Sequence, residues 1–264
     1  MIIILCTIIS IIALILAIIV LLKKPKDNFT RKFQSQDIEL SPKLSKKDII
    51  NLKEGQKKMT NMLREFNKIC RKYNIRYFVV GGTCLGALLY SGWIPWDSDI
   101  DLKICNEDYP KFKSIIQKEL PKNMWFQNHE TDKYYPKNHH IVGKIRDLNS
   151  CYIEWTNNNP KNWHNGLQID ILLYTLDKKN NKVYFSDSEN NNLTTPKEML
   201  PLKEILFEGI PIFIMNNSEK YLSRKYGKDW NKVLPLEKRI SHEGKTDGFK
   251  TCPFHYKKYP HLHK

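Results

Sequence analysis

Asp97, Asp99 and Asp101 alternate with Ser98 and Ile100 in the run Gly92-Trp93-Ile94-Pro95-Trp96-Asp97-Ser98-Asp99-Ile100-Asp101. Residues two apart share a face of an extended segment, so this spacing predicts three carboxylates on one side and Ile100 on the other. Like charges that close raise each other's pKa values unless cations neutralise them. A hard divalent ion such as Mg2+ or Mn2+ matches this oxygen chemistry and commonly completes its shell with substrate phosphates. The competing reading is an acidic turn on a solvated face, but the apolar neighbours of these aspartates favour a site.

Two later stretches offer partners. In Gly166-Leu167-Gln168-Ile169-Asp170-Ile171-Leu172-Leu173-Tyr174, Asp170 stands alone between isoleucines. A carboxylate there is costly to bury without a cation or hydrogen-bond donors, so it is expected to return to the aspartate cluster; the alternative is a hydrogen-bonded structural residue. In Ile141-Val142-Gly143-Lys144-Ile145-Arg146-Asp147 the alternation puts Lys144 and Arg146 on one side. Arg146 is suited to a bidentate phosphate contact and Lys144 to supplying charge. The bland alternative pairs them with Asp147, Glu154 or the acidic cluster.

Several elements must position these groups. Tyr77-Phe78-Val79-Val80 reads as a buried strand that stops at Gly81-Gly82, followed by a short helix over Thr83 to Leu89. Upstream, Met59, Met62, Leu63, Phe66, Ile69, Cys70 and Tyr73 recur at helical spacing, predicting a helix that covers the sheet. A second helix is expected through Phe112, Ile115, Ile116 and Leu120, and Glu208-Gly209 between apolar runs signals a hairpin.

The segment Gly81-Gly82-Thr83-Cys84-Leu85-Gly86-Ala87, together with the run from Gly92 to Asp101, resembles the signature of LicD/fukutin-related proteins in the nucleotidyltransferase-fold superfamily. Pro201-Leu202-Lys203 and the stretch Tyr221 to Trp230 resemble its distal pattern, so the likeness covers most of the chain after residue 50. The fold this implies is α+β, a nucleotidyltransferase-like mixed sheet flanked by helices. The activity it implies is transfer of phosphocholine or an alditol phosphate from a CDP-linked donor to a glycan or glycolipid. Asp99, Asp101 and Asp170 would then hold metal, while Asp97 joins them or acts as a base. Gly81, Gly82 and Thr83 would approach the donor phosphate. The family commonly carries an arginine where Arg146 stands and a strand aspartate like Asp170. Ser98 departs from the pattern, which often has Asp there. Transfer of a nucleoside monophosphate, or glycan binding without catalysis, are the competing functions.

Ile2 to Leu22 is uncharged and apolar apart from Cys6, Thr7 and Ser10, which meets the length of a spanning helix. Residues 1–22 are therefore expected to anchor the chain, 23–50 to form a basic linker, 51–240 the domain and 241–264 a loosely attached tail. Lys23, Lys24 and Lys26 follow the span, which by the positive-inside rule keeps the domain cytosolic. The resemblance instead implies the lumen of the endoplasmic reticulum or Golgi. A net charge of +15 favours an anionic partner, but the basic residues are scattered and no nucleic acid is expected. The six cysteines show no close pair, so neither a zinc knuckle nor a disulfide framework is predicted.

Overall fold

The computed structural model describes Phe33 and residues 37–153, 164–187, 193–242 and 244–262. The predicted anchor over residues 2–22 lies outside them, as does the first part of the expected linker; among the described residues no helix is long and apolar enough to cross a membrane. The described chain is a mixed α+β structure.

Helix α1, Lys46–Lys72, opens with a reciprocal cap: the Asp48 N–H donates to Ser45 Oγ, and the Asp48 carboxylate accepts from the Ser45 N–H at 3.0 Å. Its apolar stripe buries Leu52, Met59, Met62, Leu63, Phe66 and Ile69. This start lies inside the stretch predicted to be linker. Ile38 and Leu40 also pack on the cluster of Leu89, Tyr90, Ile94 and Trp96. Apolar residues here are too sparse to show a period, yet Ile38 and Leu40 are partly buried against that cluster.

Strand β1, Tyr77–Val79, leads into helix α2, Gly81–Tyr90, and then into strand β2, Ile100–Cys105. Helix α3, Tyr109–Glu119, follows, then strands β3, Met124–Gln127, β4, Gly143–Asp147, and β5, Cys151–Ile153. Strand β6, Gln168–Asp177, and strand β7, Lys182–Phe185, form an antiparallel hairpin. The main sheet has the order β1-β2-β6-β4-β3, with β7 paired to β6, and only β2 and β6 run parallel.

Alternation divides the two faces. Ile100, Leu102 and Ile104 are fully buried, and Tyr77, the register partner of Ile104, meets Phe66 of α1 edge-on at 4.9 Å. Asp101 and Lys103 point to the other face with Phe78, which packs on Tyr174 and Phe185. That face is served by α2 and by helix α5, Ser218–Tyr226, reached through the short helix α4, Pro196–Met199, and the hairpin of β8, Lys203–Phe207, with β9, Ile210–Ile214. Glu208 and Gly209 both adopt positive φ, 49° and 75°, as a tight hairpin turn requires.

The expected loose tail is structured. Strand β10, Lys245–Asp247, pairs antiparallel with β5, Cys252 is disulfide-bonded to Cys151 with Cα atoms 4.9 Å apart, and Tyr259 after helix α6, Pro253–Lys258, packs on Trp125. Three-residue strands are too short to carry a periodic signal, and the cysteines are 101 positions apart in sequence. Neither feature has a local signature.

Phe66 is wholly buried between Tyr77 and Phe112. Phe66→Ala is expected to lower unfolding free energy by about 3 to 5 kcal/mol in urea melts; a loss below about 1 kcal/mol would contradict its placement at the helix–sheet contact.

Candidate active site

The parallel pairing of β2 with β6 sets Asp101 directly beside Asp170, and the antiparallel pairing of β6 with β4 sets Asp170 beside Lys144. Register partners on one face lie within side-chain reach, so one cross-strand row carries two carboxylates and an ammonium. Lys144 Nζ donates to both oxygens of Asp170, at 2.6 and 2.7 Å. Asp99, just before β2, completes the group: Asp99, Asp101 and Asp170 each offer a carboxylate oxygen, all within 4.8 Å of one another. Burial, then the charges of Asp170 and Asp97, push the Asp101 carboxyl up to about 7 against the pull of Lys144. An all-oxygen, crowded and mostly buried donor set of this kind fits a hard divalent cation.

The turn into α2 is shaped by these carboxylates. Gly81 has φ +58°, and a Cβ there would stand 3.0 Å from Asp101 Oδ2. A Cβ on Gly82 would lie 2.6 Å from Asp97 Oδ2. The glycines thus admit carboxylates that any larger residue would displace. Thr83 Oγ1 accepts the Asp101 N–H at 2.9 Å and is buried, while the Gly81 N–H donates to the Tyr221 hydroxyl at 3.1 Å. Both groups tie the glycine turn to β2 and to Tyr221.

Asp97 diverges from its neighbours because Pro95 and Trp96 form a turn and the strand begins only at Ile100. Its carbonyl accepts from Gln56 Nε2 of α1 at 2.8 Å, and its Oδ1 accepts the Ser98 N–H at 3.1 Å. Arg146 is fully buried and donates to Gln127 Oε1 at 2.7 Å, the Gly166 carbonyl at 2.7 Å and Gln168 Oε1 at 2.6 Å. It braces strands β3, β4 and β6 from within. Lys144 follows the ion-pair alternative, with Asp170 as its partner.

Three residues escaped sequence reasoning. Lys103, two positions beyond Asp101, is buried, ion-paired with Asp187 and 4.5 Å from the Phe185 ring centroid. Lys225 at the end of α5 adds positive charge that stabilises the ionised form of Asp101. Tyr226 places its hydroxyl 3.6 Å from the position of a Gly81 Cβ; burial, then Asp101, Asp97 and Asp99, hold its phenol in the neutral form. Lys103 was visible as an odd charge in an apolar strand. Nothing local tied the last turn of α5 to the aspartates.

The domain is thus a mixed sheet flanked by helices, with a glycine turn after its first strand and a carboxylate triad gathered at a parallel strand pair. The chain belongs to the family of LicD/FKTN/FKRP nucleotidyltransferase domains, whose family model matches residues 74–217. It is 36% identical over 86 residues to the lipopolysaccharide cholinephosphotransferase LicD of Haemophilus influenzae, an alignment covering 33% of this chain and 28% of that protein. Uncharacterized proteins of Rickettsia typhi and Rickettsia prowazekii are each 24% identical, over 171 and 176 residues, covering 65% of this chain in both cases. The chain spans 46% and 54% of those two relatives.

The raised Asp101 pKa has a consequence for stability. An unfolded aspartate titrates near about 3.9, so between there and the folded value of about 7 the folded chain binds the extra proton. This group's contribution is therefore present at low pH and lost as pH rises through about 7. In metal-free protein, Asp101→Asn is expected to gain thermal stability relative to the natural chain as pH increases from about 5 to about 8. Melting scans with a chelator check this; a pH-independent difference would contradict the crowding of carboxylates.

Proposed function

We propose that the protein transfers a substituted phosphate, phosphocholine or an alditol phosphate, from a CDP-linked donor to a glycan or glycolipid acceptor. The convergence of Asp99, Asp101 and Asp170, within a chain of this family, carries the reading. The Haemophilus relative is a cholinephosphotransferase, which supports a CDP-choline-type donor. Asp99, Asp101 and Asp170 are the residues that would hold Mg2+ or Mn2+, whose charge would screen the donor pyrophosphate as CMP leaves. The acceptor oxygen forms the new bond to phosphorus, the bond from that phosphorus to CMP breaks, and the hydroxyl proton passes to a carboxylate. Asp97 is suited to that role because Gln56 fixes its backbone beside the triad. Lys225 adds positive charge to the same face, which favours a diphosphate.

The same reading places the chain as a single-pass membrane protein anchored by residues 2–22, with its domain in the lumen of the endoplasmic reticulum or Golgi. The Cys151–Cys252 disulfide supports the luminal side, because such bonds persist in oxidising compartments. A membrane-held domain suits an acceptor presented on a lipid.

The deciding experiment incubates the purified chain with Mg2+ or Mn2+, a panel of CDP-choline, CDP-ribitol and CDP-glycerol, and glycan acceptors, with products read by mass spectrometry. CMP release matched by a mass gain on the glycan is expected, and Asp99→Asn and Asp101→Asn should abolish it while retaining the fold by circular dichroism. Nucleotide appearing in the glycan product would instead identify nucleotidyl transfer. Folded protein that binds glycans without releasing CMP would overturn the transferase reading.

A further inference from the structure

Ser98 sits between Asp97 and Asp99 and is completely buried. Two hydroxyl-bearing residues converge on it from parts of the chain remote in sequence. The Tyr152 hydroxyl donates to the Ser98 carbonyl and lies 3.0 Å from Ser98 Oγ. Ser98 Oγ is in turn hydrogen-bonded to Ser241 Oγ. We propose that Tyr152 and Ser241 are positioning residues for the reaction, forming a clamp that sets the loop carrying Asp97 and Asp99 against Asp101 and Asp170. This deepens the transferase reading and rests on it for its catalytic consequence.

The clamp has its own foundations. Tyr152 lies on β5 and is the register partner of Thr246 on β10. Its neighbour Cys151 is covalently joined to Cys252, so β5 cannot part freely from the segment that follows β10. Strand β10 is tied to α1 by Lys245 Nζ on Asp48 at 2.9 Å, the same carboxylate that caps the helix. From α1, Gln56 Nε2 reaches the carbonyls of Ile94 at 3.3 Å and Asp97 at 2.8 Å. The aspartate loop is therefore gripped by an amide from α1 and by two hydroxyls from the β5–β10 region. Gripping matters because a carboxylate displaced by about 1 Å can lose about a hundredfold in rate while the fold persists.

Burial explains why a serine serves at position 98. Its hydroxyl can donate and accept in one hydrogen-bonded chain with Tyr152 and Ser241. A carboxylate in its place would add a further negative charge beside three others, in a region that already pushes Asp101 up to about 7.

The test removes one hydroxyl at a time. Tyr152→Phe and Ser241→Ala are made beside Thr251→Ala, a control whose hydroxyl donates to the Leu148 carbonyl at 3.0 Å in the same C-terminal region without touching Ser98. Hydrogen exchange of peptides covering Trp93 to Asp101 reads the clamp with neither metal nor donor present. At least about tenfold faster exchange is expected in the two clamp variants and natural rates in the control. Donor turnover with Mn2+ reads the consequence: kcat falling about ten- to a hundredfold, with KM for the CDP-linked donor within about twofold and the melting temperature little changed. Natural exchange rates in both clamp variants overturn the proposal. Faster exchange with unchanged kcat removes the positioning role, as does a kcat loss that merely tracks the fraction of unfolded protein. If the natural chain turns over no CDP-linked donor while exchange responds as expected, the clamp stands and the transferase reading fails.

Discussion

Negative charge brought together away from water has to be answered, and the arrangement of this sheet follows from the answer. Asp101 and Asp170 are adjacent because β2 and β6 run parallel in register, and Asp99 closes on them from the preceding loop. Lys144 answers part of the charge by spanning both oxygens of Asp170. A buried pair of this kind does not stabilise strongly by itself, because desolvation consumes much of its attraction; removing either partner alone is what costs most. The remaining excess shows as the raised Asp101 carboxyl. Strand register, the lysine on β4 and the glycine turn are three parts of one electrostatic arrangement.

Part of that arrangement was legible in the sequence because it depends on period. Alternation of two along Asp99-Ile100-Asp101 and Ile169-Asp170-Ile171 marks carboxylates that leave an apolar strand on one face. The helical stripe through Met59, Leu63 and Phe66 marked the cover of the opposite face, and it lies there. Asp97 shared the alternation but not the strand, since Pro95 and Trp96 turn the chain first. Period could not reveal which strands are neighbours. It therefore left open whether Lys144 and Arg146 answer a phosphate or a carboxylate, and it could not show that Arg146 is held by Gln127, Gly166 and Gln168.

The C-terminal region was the least legible for a different reason. Its contributions come from single residues: Cys252 to Cys151, Thr246 opposite Tyr152, Ser241 beside Ser98 and Tyr259 against Trp125. Each gains its effect from a partner far away in the chain, so a local window shows only a basic, aromatic stretch without pattern. The same holds for Lys225 and Tyr226, which end an amphipathic helix and whose nearness to the aspartates and the glycine turn follows only from where α5 docks.

Strand β6 lies between β2 and β4, yet it follows both of them along the chain. During synthesis the first two aspartates therefore emerge well before the third, and the two flanking strands exist before the one that separates them. A direct β2–β4 pairing formed in that interval would have to open again to admit β6. Non-local pairing of this sort is slow because loop closure precedes its reward. Competence for chemistry thus arrives late, as a property of the finished sheet, and a chain halted before residue 170 would hold most of the apolar framework without the centre it surrounds.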